Sequence, residues 1–175
     1  MRDLLPSIIQ EFGAAGAAIA AEWYDDQRAK SAVKSPFTAI PVEADDRGTQ
    51  ALIGWALSKA TDDASLHALI LGGTQRRIAD HVRYTVTGSA VEDPGARGWQ
   101  RVGVGACKDG FCDMLIGRGA VYSEATADFA SHDNCRCSAV PAWGGEPLPV
   151  KPFTPSVRTA SEADKARVRA YIATH

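Results

Sequence analysis

The chain of 175 residues has room for one ordinary domain with arms and too little for two full-sized ones. With 45% hydrophobic and 23% charged residues it can bury a core and does not read as disordered. A balance of 19 Lys and Arg against 21 Asp and Glu gives a net charge of -2, which excludes a surface that is a nucleic-acid footprint throughout and leaves only local basic patches.

From Leu4 to about Lys30, the residues Leu5, Ile8, Ile9, Phe12, Ile19 and Trp23 recur every three or four positions and predict one long helix. Its middle, Gly13 to Ala18, has almost no side-chain bulk, so another backbone can approach closely there, and tight packing inside the protein's own bundle is the expected use. The longest apolar run, Phe12 to Ala21, falls short of the ~20 residues a membrane-spanning helix needs, so no transmembrane segment is expected. Asp3, Pro6, Gln10 and Glu11 interrupt the continuous stretch a signal peptide would require.

Two prolines end helical structure between Ser35 and Pro41. A second helix is predicted from Arg47 or Gly48 to Lys59, carrying Ala51, Leu52, Trp55 and Leu57. Thr61-Asp62-Asp63 offers N-cap side chains for a third, with Leu66, Leu69, Ile70 and Leu71 as its buried set and Gly72-Gly73 stopping or kinking it. A fourth runs from Thr74 to about Thr87, with Ile78, Val82 and Val86 on one stripe. His67 and His81 fall on these helices as partly exposed residues, and His175 on a mobile terminus.

Beyond Gly88 the pattern changes. Glu92-Asp93-Pro94-Gly95 is turn chemistry, and Trp99 to Gly105 alternates like a short strand. The segment up to Trp143 is dense in Gly and Cys, with scattered large apolar residues such as Phe111, Met114, Leu115, Ile116, Val121, Tyr122 and Phe129, so something else must tie it together. Glu146 to Pro155 has four prolines in ten residues and reads as an extended arm, and Ser161 to Ala173 forms a short terminal helix. The fold class is α+β. Residues 1–34 form the long helix, 35–88 a helical region, 89–145 a Cys/His-containing module, and 146–175 the arm with its terminal helix.

All four cysteines lie in that module, as Cys107 and Cys112 followed by His132, Cys135 and Cys137. Thiolate and imidazole are the ligands that structural zinc takes, four in a tetrahedron, and two short-spaced groups about 20 residues apart are how such knuckles are built. Five candidates stand for four places. Cys107, Cys112, His132 and one or both of the last two cysteines form the first choice, with Cys135 and Cys137 expected on opposite sides of an extended backbone. Asp109 and Asp133 are weaker substitutes. Two disulfides, in three connectivities, or four reduced thiols are the competing readings. No H-E-x-x-H motif, nucleophile elbow or phosphate loop accompanies the cluster. Arg97, Arg101 and Arg118 read as solvated charges or as partners of nearby acids.

Trp99-Gln-Arg101, the cysteine pair, Met114 to Tyr122, His132-Asp-Asn-Cys-Arg-Cys137 and Ala139-Val-Pro141 resemble the MuF-like minor head proteins of tailed phages, the phage head morphogenesis family. Glu22 to Arg28, Gly54 to Ala56 and Gln75 to Asp80 are similar to members from actinobacterial phages. The resemblance implies a low-copy virion or procapsid protein, located in the head interior or portal region. It would be assembled in the host cytoplasm and act in head assembly, DNA packaging or delivery, without enzymatic activity. The implied partners are the portal protein and the major capsid or scaffolding protein, with packaged DNA as a further contact and no membrane. The resemblance also implies a metal bound by Cys112, His132, Cys135 and Cys137, with Cys107 as the first member of the pair. The family usually has two residues between its first two cysteines, whereas here there are four, and Asp109 stands where the first thiol would fall. Some relatives carry a fused protease or toxin domain, for which this chain has no spare length. A rival reading is a small nuclease or toxin-like effector using His132 with Arg118 or Arg101 on a phosphate substrate. A DNA-binding zinc module without catalysis is a third, against which the net charge counts.

Overall fold

The protein is described here from a computed structural model, over residues 4–43, 46–103, 110–123, 129, 135–143, 161–163, 166–167 and 169–170. Helix α1 (Leu4–Lys30) has the predicted bounds, and of the predicted apolar set it buries Ile9 fully and Leu5 and Ile8 in part. Ile9, Gly13, Ala17, Ala20, Ala21, Tyr24 and Arg28 are buried, spaced by three or four positions along one stripe, while Phe12, Ile19 and Trp23 are exposed. The small residues win this face because they let α1 lie close along the longest helix of the protein, where a Cβ on Gly13 would run into the ring of His81. By length and composition alone α1 would suffice to cross a membrane, a property the predicted apolar run of Phe12 to Ala21 did not capture.

Helix α2 (Asp46–Lys59) buries Thr49, Leu52, Ile53 and Ala56, and leaves Ala51, Trp55 and Leu57 exposed. The predicted third and fourth helices are one, α3 (Asp63–Glu92). Asp62 caps it as expected, its carboxylate accepting from the Ser65 N–H at 2.7 Å while the Ser65 hydroxyl accepts from the Asp62 N–H at 3.0 Å. Gly72 and Gly73 do not break the helix. They are buried under α2, and a Cβ at Gly73 would collide with the Leu52 side chain, so the pair permits close approach at the usual cost in helix propensity. Of the set predicted to be buried there, Leu66, Leu69 and Ile70 are half-buried and Leu71 is exposed, because α2 covers the glycines instead. The non-helical connection around the two prolines is strapped down at both ends, the Ala39 N–H donating to Asp25 and the Val42 N–H to the Thr85 hydroxyl, each at 2.9 Å.

The second half supplies a two-stranded antiparallel sheet, β1 (Trp99–Gly103) and β2 (Cys137–Pro141), with the short helix α4 (Gly110–Ile116) against β1. Alternation in β1 turns Trp99 and Arg101 inward, and alternation in β2 does the same for Cys137 and Ala139. Trp99 stacks on Tyr122 and Phe129, with ring centroids 4.3 and 5.7 Å apart, and this aromatic wall joins Tyr24, Val86, Ala90, Cys112 and Cys137 in one core. Met114, read as a core residue, is exposed on α4. The proline-rich arm and His175 lie outside the described residues, as does the terminal helix apart from helical residues 162–163, 166–167 and 169–170.

Candidate metal centre

Cys112 sits in the first turn of α4, Cys137 opens β2 opposite Gly103, and Cys135 lies two residues before it. These three segments meet above α3, and the three sulfur atoms lie within 4.8 Å of one another. In a tetrahedron with metal–sulfur bonds of about 2.3 Å the sulfurs stand about 3.8 Å apart, so the cluster needs only small adjustments to hold one ion. Cys112 and Cys137 are buried and Cys135 half-buried. The three could hold a metal ion through soft thiolate donors, the donor type that zinc takes in closed structural sites.

The loop is held from below by Arg83 of α3. Its Nη2 donates to the Cys135 carbonyl at 2.7 Å and its Nε to the Cys137 carbonyl at 3.1 Å, while Nη1 pairs with Asp80 at 2.9 Å. One guanidinium thus fixes the backbone on both sides of Arg136. Burial pushes the Cys137 thiol above its ordinary range, and the neighbouring Cys135 adds to this, while hydrogen bonds with Cys112 and Arg101 pull the other way. A bound cation would favour the thiolate, so metal binding here would release protons.

Cys112, Cys135 and Cys137 of the expected ligand set are brought together; Cys107 and His132, with Asp109 and Asp133, lie outside the described residues. Two expectations are corrected. Cys135 and Cys137 do not diverge, since residues two apart on an extended backbone share a face. No disulfide joins Cys112, Cys135 and Cys137, whereas two disulfides among four cysteines would require at least one bond between members of this trio. Arg101 is likewise no solvated charge. It is 3% exposed, lies 4.1 Å over the Phe129 ring and donates to the Phe129 carbonyl. Arg118 and His67 are exposed, and His81, expected to be partly exposed, is buried against α1.

Sequence reasoning also missed the polar hub that joins the two halves. The Asp93 carboxylate, read only as part of a turn, accepts from Arg28 Nε at 2.7 Å and Nη2 at 3.0 Å, from Tyr24 OH at 3.1 Å, from the Gly95 N–H at 2.8 Å and from Trp143 Nε1 at 3.3 Å. Together these bonds hold its carboxyl below the usual carboxylate range against the opposing effect of burial. Burial, with the Asp93 charge and hydrogen bond, pushes the Tyr24 phenol far upward. The Asp-Pro-Gly turn gave a signal for the Gly95 contact alone, since a short acceptor side chain there bonds its own backbone two residues on.

A family model described as VG15 protein matches residues 1–160. Comparison with curated proteins and with solved structures gave no match.

Proposed function

The chain belongs to the VG15 protein family and is a phage protein, and from that premise we propose that it is a minor head component of a tailed phage. In this reading it associates with the portal and the inner face of the shell, and it acts in head assembly, DNA packaging or delivery as a structural component, not as an enzyme. The family membership supports the phage origin. The MuF-like pattern of Trp99-Gln-Arg101, Met114 to Tyr122 and the closing His132-x-x-Cys-x-Cys137 supports the finer assignment. The cysteine cluster then serves as a structural zinc site, with Cys112, Cys135 and Cys137 as three ligands and Cys107 or His132 completing the set. Such a site suits a module whose strands are only five residues each, since a metal supplies folding energy that so small a sheet lacks. Against the nuclease reading stands Arg101, which is packed under Phe129 instead of facing a substrate.

Peptide mass spectrometry of purified particles and empty procapsids, quantified against the portal and major shell proteins, tests the proposal. A few to a few tens of copies in either is the expected result. Absence from both refutes it and turns attention to nucleic-acid cleavage by the wild type and by His132→Ala.

A further inference from the structure

The loop that Arg83 clamps also forms one wall of a small cavity. Gln75 and Arg76 of α3 and Cys135 and Arg136 of the loop line it, and the half-open space is about 110 Å³. Among the described lining residues Gln75, Arg76 and Arg136 carry side-chain N–H donors, and two of them are arginines from different parts of the chain. Arg136 is exposed, but its backbone is fixed, because the carbonyl of the preceding residue and that of the following one both accept from Arg83. Arg76 stands on α3 one turn before Asp80 and two before Arg83. An arginine has five N–H donors, so engagement of Arg76 within the fold leaves others for a ligand.

We propose that this cavity binds a phosphate group, held between the Arg76 and Arg136 guanidiniums with the Gln75 carboxamide as a third donor. A tetrahedral oxyanion fits the volume and offers acceptors on every side, and planar guanidinium forks meet phosphate oxygens in pairs. Cys135, half-buried where Cys112 and Cys137 are buried, lines the same space, so a bound phosphate would lie beside it. The phosphate belongs either to a nucleic-acid backbone or to a free ion. The net charge of -2 makes this a local contact and not part of a general nucleic-acid surface. The site goes beyond the head-protein reading and does not depend on whether the cysteines carry metal.

The test is titration of the full chain with inorganic phosphate and, separately, with a short single-stranded DNA, for the wild type and for Arg76→Gln and Arg136→Gln. Zinc content and circular dichroism are followed in the same samples. Each variant should bind phosphate about tenfold more weakly or worse, the loss expected for one charge-assisted contact. Phosphate should also slow alkylation of Cys135 in metal-free wild type and fail to do so in Arg136→Gln. Competition between DNA and phosphate in the wild type identifies a nucleic-acid source, and phosphate binding without DNA binding identifies a free ion. No binding of either ligand, or equal binding to wild type and both variants, overturns the proposal. Because Arg136 is exposed, its variant keeps the test valid even if Arg76→Gln disturbs α3. Unchanged zinc content in a variant that has lost phosphate binding separates the cavity from the cysteine cluster.

Discussion

Replacing Asp93 by Asn is the most searching test of how the two halves are joined. The side chain keeps its shape but loses its charge and one acceptor oxygen, while five donors still converge on it from Arg28, Tyr24, Gly95 and Trp143. The new NH2 group must face at least one of those donors, and the Arg28 guanidinium loses its counter-charge in a site where the Asp93 side chain has no exposed surface. Removing one member of a buried pair costs about 3–5 kcal/mol, against a total stability of roughly 5–15 kcal/mol for a domain. At ~2–4 °C per kcal/mol for a chain of this size, the melting temperature should fall by about 6–20 °C. Thermal unfolding followed by circular dichroism measures it, and a fall of less than about 3 °C would refute the hub. A cycle with Arg28→Met adds a second check. If the pair is coupled, Arg28→Met should cost far less in the Asp93→Asn background than in the wild type.

The depressed Asp93 carboxyl predicts a pH dependence of definite sign. Its contribution is fully present above the unfolded-state value near ~3.9 and is lost as pH falls through the lower folded-state value, so melting temperature should drop steeply below about pH 4 in the wild type and less steeply in Asp93→Asn. Gly13→Ala adds a methyl that would strike the buried His81 ring. Overpacking of about 1–3 kcal/mol should outweigh the ~1 kcal/mol gained in helix propensity, and an unchanged or raised urea midpoint would contradict the packing. Cobalt substituted into the cysteine centre should give thiolate charge-transfer absorption that Cys112→Ser and Cys137→Ser each reduce, with chelator raising the count of titratable thiols; identical spectra in the variants would remove these residues from the ligand set.

The helix bounds of α1 and α2, the Asp62 cap, the β1 strand and the association of Cys112 with Cys135 and Cys137 were legible in the sequence, because each rests on local spacing or cap chemistry. What escaped depends on contacts distant along the chain. Periodicity grouped Phe12, Ile19 and Trp23 with Ile9 on α1, and of these four Ile9 alone is buried; the close packing expected at Gly13 to Ala18 is present, but that the neighbour is α3 was not legible. Gly72-Gly73 reads as a break by propensity and survives as helix because Leu52 fills the space a Cβ would need. Arg28 finds Asp93 across 65 residues and Arg83 finds the Cys135 carbonyl across 52, distances at which no sequence pattern marks a partner.

Those same distant contacts explain why the cysteine centre depends on the helical half. α3 is continuous from its cap at Asp62 to Asp93, and along its length it meets α2 at the glycine pair, α1 at His81, the cysteine loop at Arg83 and the hub at its C-terminal end. A break at Gly72-Gly73 would loosen the seat of α2 on α3. A single rod instead passes the position of α2 to the guanidinium that holds the Cys135 and Cys137 carbonyls. The sheet beside them has two strands of five residues, too few to set a three-sulfur geometry unaided. The spacing of the sulfurs is therefore set by α3 through Arg83 from below and by the aromatic wall of Trp99, Tyr122 and Phe129 at the side, which is how a short Cys-rich segment comes to be held by a helix whose own sequence contains no cysteine.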